Sequence, residues 1–453
     1  MIADFISINK KTSEPMYSQL YRELKAAIEN GSIREGEKIP SIRKLCSDLG
    51  ISKTTVETAY NMLCSDGYIV NQPKKGYFVE KGIRVNKRRA ADSTDETADK
   101  RRYKYDFSGK GIDKNCSNIK EWRKYVKDIL NKEYLLNTYG ENQGEAALRG
   151  AIVKYAFATR GVSTDAQRVI VGSGSQTLIY ILCGMLGVGR TVAMEKNFFP
   201  QAEQVFRDFD YRISYFENDS KGVSIESLNR IAPDILLINP NYNSLNGKPT
   251  RLSRKSELID WAEQNGCLII EDDYNGELRY ETHPSVCMQS RSPESTVYIG
   301  SFSKILLPSV RISYMALPDD LAKKYSAIKN NYNQTTSKIE QLALAEYIND
   351  GKLEKHLRKS RRYYRAKNET VRAIVEECFD SFIFNETAMF YEIKTSVGGI
   401  VEKCADAGIK LMQTSTDDVI RINFSHISEE LLREGLKKIR EISVTHKKEK
   451  RAD

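Results

Sequence analysis

The stretch "YIGSFSKILLPSVR", residues 298–311, places one lysine between a β-type run and an arginine. The aromatic and β-branched residues at its start predict a buried strand, and Ser301 and Ser303 follow where that strand ends. Lys304 comes next, and Arg311 lies seven residues further on. Hydroxyl groups, an ammonium and a guanidinium at one strand end indicate a site for an anionic ligand.

Other segments from Tyr105 onward have the same buried-strand character: "RVIVGSGSQ", "DILLINP", "CLIIEDDY" and "ISYMALP". Near-continuous apolar strands separated by helical stretches predict a largely parallel sheet covered by helices on both faces. After about residue 325, long amphipathic helical segments precede "AMFYEIKT" and "VIRINFS", which predicts a smaller α+β part. Ligands of open parallel sheets bind at the carboxyl ends of strands, so we expect the polar strand ends to converge.

Two of these strand ends carry residues that complement Lys304. "GSGSQ" (172–176) is a turn between a strand and a helix, where free backbone N–H groups beside Ser175 and Gln176 suit a phosphate. "EDDY" (271–274) ends a buried strand with acids, which are costly there unless a cation pairs with them. A phosphate cradle, a buried carboxylate and a lysine are the requirements of pyridoxal 5′-phosphate, because its aldehyde forms a Schiff base and its pyridinium needs an anion.

The first eighty residues have a different pattern. "MYSQLYRELKAAIEN", "GEKIPSIRKLCSDLG" and "ISKTTVETAYNMLCSDG" predict three helices, the last two starting after Ser41 and Ser52 as N-caps. "YIVNQPKKGYFV" predicts a hairpin, and this order is that of a winged helix-turn-helix. A small helical domain with ordinary surface lysines is the alternative. The predicted DNA-contacting residues are Arg43, Lys44, Ser52, Lys53, Thr54, Thr55, Lys74 and Lys75.

Composition limits the remaining possibilities. The 453-residue chain has a net charge of +9, yet residues 1–80 hold eleven Lys/Arg against ten Asp/Glu. Position, and not total charge, therefore supports the DNA prediction. The sequence has no apolar run of about 18 residues or more, and we expect no membrane span. The eight cysteines are widely spaced without a C-x-x-C pair, which favours free thiols in the cytoplasm and no metal site.

The organisation that we predict is multidomain. A charged segment poor in apolar residues separates the two folded parts and is typical of a flexible linker. The predicted parts are a winged helix-turn-helix domain at 8–80, a linker at 81–104, a pyridoxal-phosphate-binding domain at 105–446 (large part about 136–325, small part about 326–446) and a charged tail at 447–453.

Four motifs, in this order, carry a family resemblance: "PSIRKLCSDLGISKTTVETAY", "YGENQG", "IIEDDYNGELRY" and "GSFSKILLPSVR". From about residue 15 to 445 the chain resembles the MocR subfamily of GntR-type bacterial regulators. That resemblance implies a winged helix-turn-helix fused to a fold-type I aminotransferase-like domain, which is α/β with a smaller α+β C-terminal domain. It also implies a homodimer that binds an operator with paired half-sites.

The resemblance assigns roles to single residues. It makes Lys304 the Schiff-base lysine, Asp272 the partner of the pyridinium nitrogen and Tyr274 the partner of the ring hydroxyl. Phe199, in "EKNFFPQ", matches the aromatic residue that stacks on the ring. The residues matching the phosphate-binding set are Ser175, Gln176, Ser301, Ser303 and Arg311.

Two further assignments concern the dimer and the ligand. Tyr139 matches a tyrosine that reaches the phosphate of the other subunit. Arg421, in "VIRINFS", matches the arginine that grips a substrate carboxylate; its alternative is a surface arginine on a strand. The sequence departs from relatives at "NPNYNSLNG" (239–247), where Tyr242 and Leu245 stand at the positions of a histidine and a proline. Ser244 matches the position at which free aminotransferases use an asparagine to touch the ring hydroxyl. It also departs at "AMF" (388–390), where relatives often show G-L-H. These changes bear on catalysis and on effector identity, not on the cofactor anchors.

Three functions are compatible with these patterns. We favour a transcriptional regulator that senses pyridoxal phosphate itself, or an amine or amino acid, through aldimine chemistry at Lys304. The alternative is an active aminotransferase with an accessory DNA-binding domain, and the sequence leaves turnover open. A DNA-binding protein independent of the cofactor is disfavoured, because the cofactor anchors are intact.

Overall fold

The structure is a computed structural model that describes residues 6, 8, 14–80, 103–281, 285–395, 397–412 and 419–449. The chain divides into two compact units, Met1–Lys100 and Arg101–Asp453. Most of the predicted linker, 81–102, lies outside the described residues, and so does 450–453 of the predicted tail. No helix in the described part of the chain has the length and apolar character that crossing a bilayer requires.

The first unit has the predicted order of three helices and a hairpin. Ser52 accepts a hydrogen bond from the backbone N–H of Thr55 at 3.2 Å, and Ser41 caps its helix in the same way. Gly50 ends the second helix in the left-handed conformation, with φ of 61°, and makes the turn tight. The elements are α1 (Met16–Glu29), α2 (Ile42–Leu49), α3 (Lys53–Ser65), β1 (Ile69–Gln72) and β2 (Gly76–Val79).

Residues 36–39, for which no element was predicted, pair with strand β2 of the hairpin. The backbone N–H of Gly36 bonds the carbonyl of Val79 at 3.0 Å, and that of Ile39 bonds Tyr77 at 3.0 Å. Lys38 therefore forms an isolated antiparallel bridge with Phe78 of β2. This pairing anchors the hairpin to the segment that leads into α2.

The second unit is built around a seven-stranded sheet of order β4-β12-β11-β10-β9-β5-β6. Its strands are β4 (Val169–Gly172), β5 (Thr191–Met194), β6 (Arg212–Tyr215), β9 (Ile235–Ile238), β10 (Leu268–Asp272), β11 (Thr296–Ser301) and β12 (Ser313–Ala316). Its helices are α4 (Ile119–Leu130), α5 (Glu133–Leu136), α6 (Ala146–Arg160), α7 (Ser175–Leu186), α8 (Pro200–Asp208), α9 (Ile225–Ile231), α10 (Leu252–Asn265), α11 (Asp319–Ile328), α12 (Lys338–Asn349), α13 (Lys352–Cys378), α14 (Ile400–Asp406) and α15 (Glu429–Glu449).

All five strands predicted for this sheet are present, and β5 and β6 were not predicted. The sheet is parallel except for β12, which runs antiparallel to both β11 and β4. The chain turns back directly after β11, and a direct return gives an antiparallel neighbour, whereas a parallel one needs a long crossover. That return is the segment that contains Lys304.

The smaller part has its own sheet, of order β13-β14-β16, and takes in residues from both ends of the unit. Tyr105 pairs in parallel with Ile409, although they lie far apart in sequence. The domain therefore begins inside its small part, and α15 continues to Glu449, into the predicted tail. The strands outside the large sheet are β3 (Tyr105–Asp106), β7 (Asn218–Asp219), β8 (Gly222–Val223), β13 (Ile383–Asn385), β14 (Phe390–Lys394), β15 (Ile409–Lys410) and β16 (Val419–Asn423).

The turn 239–247 contacts the small sheet at Gly247, which yields a stability prediction. A Cβ on Gly247 would overlap the carbonyl oxygen of Phe384, whereas one on Gly266 would meet nothing within 4 Å; both glycines have φ above 60°. Gly266→Ala should cost about 1 kcal/mol through backbone strain alone. Gly247→Ala should cost about 2 kcal/mol more through steric overlap. Urea unfolding of the two variants compares them, and equal midpoints would contradict this packing.

Candidate functional site

Lys304 lies in the turn that follows β11. Its Nζ donates hydrogen bonds to the carbonyl oxygens of Gly109 and Gly111, the second at 3.0 Å. Burial lowers the pKa of Lys304 to about 8, because a low-dielectric environment disfavours the charged ammonium. The amine is thus closer to its neutral, nucleophilic form at neutral pH than a surface lysine is.

Asp272 is the last residue of β10, the strand beside β11. Burial raises the pKa of Asp272 to about 7, and the carboxylate of Asp273 adds to that rise. No basic side chain among the described residues forms an ion pair with Asp272. A buried carboxyl group of this kind is stabilised when a cation comes to lie beside it.

The neighbouring Asp273 is fully paired, and sequence reasoning missed its partner. Arg160 contacts both of its carboxylate oxygens, at 2.5 and 3.2 Å. Tyr298 donates to it at 2.7 Å, and Asn241 donates as well. Burial alone would raise the pKa of Asp273, but the Arg160 guanidinium and these hydrogen bonds hold it below its ordinary value. Arg160 is the last residue of α6 and has no motif that marks it.

Arg311 and Ser303 contribute hydrogen-bond donors to another part of the site. Arg311 adopts the left-handed conformation with φ of 52°, and Gly174 has φ of 107°. A Cβ on Gly174 would come within 2.7 Å of the Arg311 guanidinium, so the glycine makes room for that side chain. The hydroxyl of Ser303 is buried and has no hydrogen-bond partner among the described residues. An anion at this end would give it one.

These groups surround one cavity of about 650 Å³. Nine of the ten predicted cofactor-binding residues line it, together with Arg421. Tyr139, the tenth, does not line it and is fully exposed, so its role in a dimer stays a prediction. The nine are Ser175, Gln176, Phe199, Asp272, Tyr274, Ser301, Ser303, Lys304 and Arg311.

Arg421 enters the cavity from the small sheet with a partner that the sequence did not reveal. Its Nε donates to the carboxylate of Glu392 at 2.7 Å, because the two residues are direct cross-strand neighbours. Its guanidinium lies 5.2 Å from the ring centre of Phe390. The hydroxyl of Tyr242 lies beside the same guanidinium. The predicted alternative, an ordinary surface arginine, does not describe this setting.

Tyr242, one of the sequence departures, faces the same end of the cavity. It is 8% exposed, and its ring packs edge-on against Phe390 at 6.0 Å between centres. Its hydroxyl has no hydrogen-bond partner among the described residues. Glu195 also lines the cavity, accepts from Asn218 at 2.7 Å, and has a pKa raised by burial. A guanidinium, a free hydroxyl and a carboxyl group therefore meet beside the cofactor residues.

In the first unit the predicted DNA-contacting side chains are exposed, except Thr55, which is half-buried. They lie on α2, at the start of α3 and on the hairpin turn. Lys44 forms an ion pair with Asp48 at 3.6 Å, and Lys53 forms one with Glu57 at 3.1 Å. The Ser52 hydroxyl is used as the helix cap. Neither Asp48 nor Glu57 was predicted as a partner of these lysines.

Comparison with known proteins bears on both units. Residues 16–79 match the family described as bacterial regulatory proteins, gntR family, and residues 110–439 match aminotransferase class I and II. The chain is 32% identical to an uncharacterized HTH-type transcriptional regulator of Bacillus subtilis, YdeL, over 96% of this chain and 98% of that one. It is 27% identical to the probable rhizopine catabolism regulatory protein MocR of Rhizobium meliloti, over 81% and 78%.

The chain belongs to the MocR subfamily of GntR-type transcriptional regulators. The fold of its second unit agrees with a solved structure, the kynurenine aminotransferase of Pyrococcus horikoshii. That similarity has a TM-score of 0.68 at 22% identity and covers 76% of this regulator and 91% of the enzyme. The predicted combination of winged helix-turn-helix and fold-type I domain is thereby confirmed.

Membership of the class I and II aminotransferase family assigns pyridoxal phosphate as the cofactor of this MocR-type regulator. The residues of the cavity fit that molecule. Asp272 is a buried carboxyl group without a cationic partner among the residues that the structure describes, and a pyridinium supplies one. At the other end, the unpartnered hydroxyl of Ser303 and the Arg311 guanidinium suit a phosphate.

The lowered pKa of Lys304 predicts the pH dependence of the rate at which the cofactor-free regulator binds pyridoxal phosphate. Only the neutral amine attacks an aldehyde, so the capture rate should rise about tenfold per pH unit below pH 8 and level off above it. Stopped-flow absorbance between pH 6 and 9.5 measures this profile. Lys304→Ala should show no capture, and Lys196→Ala, which removes an exposed lysine at the same cavity, should keep the profile. A rate still rising steeply above pH 9 would contradict the assignment.

Proposed function

We propose that this regulator uses its aminotransferase-like unit to sense an amine or amino acid, or pyridoxal phosphate itself, and adjusts DNA binding accordingly. One observation carries the proposal. Lys304 and Arg421 come from two different sheets and line one cavity, in a chain whose other unit is a DNA-binding domain. A ligand that contacts both residues links the two sheets.

For the cofactor we propose the following roles. Lys304 bonds the aldehyde carbon, Asp272 lies beside the pyridinium and Tyr274 reaches the ring hydroxyl. When bound, pyridoxal phosphate supplies an aldehyde that condenses with primary amines and a ring that withdraws electrons. Phe199 stacks on the ring. The phosphate is held by Ser175, Gln176, Ser301, Ser303 and Arg311.

For the effector we propose a carboxylate contact at Arg421. Glu392 accepts the Nε–H and holds the guanidinium in place, which leaves the Nη groups for a bidentate carboxylate. The unpartnered hydroxyl of Tyr242 is available as a further donor at the same end. The amine of an amino acid would then replace the Lys304 amine at the cofactor aldehyde and release it, while the carboxylate reaches the small sheet. Its binding energy favours one arrangement of the two parts over another.

The change of arrangement has to reach DNA through the predicted linker. We propose a homodimer in the cytoplasm, with Tyr139 at the phosphate of the other subunit and two DNA-binding units on paired half-sites. Tyr139 is fully exposed and is therefore accessible to the other subunit. Dimer symmetry would match that of a two-part operator.

An active aminotransferase is the second candidate function. Lys304, Asp272 and Arg421 line the same cavity, which is the residue set that transamination uses. Ser244 supports the sensor, because relatives with full activity carry an amide at that position for the ring hydroxyl. The fused DNA-binding unit supports it as well.

Measuring DNA affinity and turnover together separates the two candidates. We expect full-length regulator loaded with pyridoxal phosphate to change its affinity for a selected operator fragment about fivefold or more with one member of an amine panel. No keto acid should accumulate with that amine. Lys304→Ala should lose the response, and Arg421→Gln should lose it for amines that carry a carboxylate. Keto-acid release with unchanged DNA affinity would favour the enzyme.

The proposed DNA face predicts a salt effect. Arg43 is exposed on α2, where a winged helix-turn-helix meets backbone phosphates. Arg43→Ala should weaken operator binding and lower the slope of log affinity against log salt by about 1, because one phosphate contact is lost. Arg22→Ala, which removes an exposed arginine of α1, is the matched control and should keep the slope. A slope unchanged by Arg43→Ala would remove Arg43 from the DNA face.

A further inference from the structure

Glu57 is the one acidic residue of α3, a helix that the structure describes from end to end. It lies one turn after Lys53, at the edge of the helix face that buries Val56 and Tyr60, and is half-buried. Its Oε1 is 3.1 Å from the Lys53 Nζ, so the cation and the anion lie side by side. Thr54, on the solvent side of the same helix, is exposed.

An acid at this position has an electrostatic cost. The first turns of the third helix are the part that enters the major groove in this class of domain. A carboxylate there faces two rows of phosphates, which repel it. The ion pair with Lys53 contributes little in compensation, because both side chains are exposed, at 71% and 40%. A hydrogen bond from DNA to the carboxylate is what offsets the repulsion.

The major groove offers such a donor next to an acceptor for Lys53. Lysine donates to guanine O6 or N7, and glutamate accepts from the cytosine N4 amino group. In a G·C pair, O6 and N4 are hydrogen-bonded to each other and lie about 2.9 Å apart. The Lys53 and Glu57 charges, 3.1 Å apart, have the matching spacing and the complementary signs.

We propose that Lys53 and Glu57 together read one G·C base pair in each half-site. Lys53 contacts the guanine edge, and Glu57 accepts from the amino group of the paired cytosine. Reversing the pair to C·G exchanges donor and acceptor, and an A·T pair places an amino group opposite Lys53. A T·A pair keeps an acceptor for Lys53 and a donor for Glu57, but its thymine methyl group replaces the N7 acceptor that guanine offers Lys53. The inference rests on the proposed DNA-binding function and adds the base pair that α3 selects.

The chain contains a matched control for charge alone. Lys44 and Asp48 form the same lysine–acid pair at four-residue spacing, at 3.6 Å, on α2. That helix precedes the recognition helix and meets phosphates, which carry no sequence information. Asp48→Asn and Glu57→Gln therefore remove the same charge from equivalent pairs, and only the second should alter base preference.

The test selects binding sequences with the full-length regulator carrying pyridoxal phosphate, from double-stranded oligonucleotides with randomised cores. Wild type and Asp48→Asn should enrich one symmetry-related G·C pair per half-site. Glu57→Gln should lose that preference about fivefold or more, while its total DNA affinity stays equal or rises. Circular dichroism checks that both exposed substitutions leave the fold intact.

Each contrary result has a definite meaning. If Glu57→Gln and Asp48→Asn enrich the same sequences as wild type and differ from it only in overall affinity, Glu57 is a surface ion-pair partner and this inference is overturned. If Glu57→Gln relaxes an A·T pair, the reading of cytosine is overturned. If the wild-type protein enriches no motif at all, the proposed DNA-binding function fails together with it.

Discussion

The buried ion pair between Arg160 and Asp273 is the interaction on which the candidate site depends. Two adjacent aspartates end the central strand β10, and two unpaired carboxylates could not be buried side by side. Arg160, with Tyr298 and Asn241, satisfies Asp273 completely, and Arg160 and Asp273 have no exposed side-chain surface. Asp272 is left facing the cavity, where a cationic cofactor ring can neutralise it. The ion pair with Arg160 therefore offsets the cost of burying Asp273, whereas the Asp272 carboxyl group remains accessible from the cavity.

The ion pair of Arg160 and Asp273, with the hydrogen bonds to Asp273, also joins the elements that form the cavity. Arg160 ends α6, Asn241 belongs to the turn 239–247 and Tyr298 lies on β11, which leads directly to Lys304. The small part closes the other side, because Lys304 bonds the segment after β3 and Gly247 abuts Phe384. Large and small parts therefore meet at the lysine itself. Under the proposed function, a ligand that displaces those contacts at Lys304 would act at the boundary between the two parts.

Sequence reasoning was accurate where a local pattern carries the information. The caps at Ser41 and Ser52, the hairpin turn and the buried strands each depend on residues close together in the chain. Nine of the ten residues predicted to bind the cofactor line the cavity, and their roles stay predictions. It missed the partners that come from distant segments. Arg160 ends a helix and Glu392 lies on a strand, and no motif marks either residue. Each pairs with a side chain more than twenty-five positions away in the sequence.

The sequence by itself determined most of the element order, the family and the cofactor, and it predicted the lysine, because periodicity, caps and contiguous motifs are local properties. Only the tertiary structure decided that Arg160 pairs with Asp273, that β12 runs antiparallel, that Tyr105 joins the small part and that Glu392 holds Arg421. Each of these depends on which strands and helices become neighbours. The packing of the whole unit decides which elements become neighbours. Burial within that packing lowers the pKa of Lys304 and raises the pKa of Asp272, and no local sequence pattern encodes these shifts.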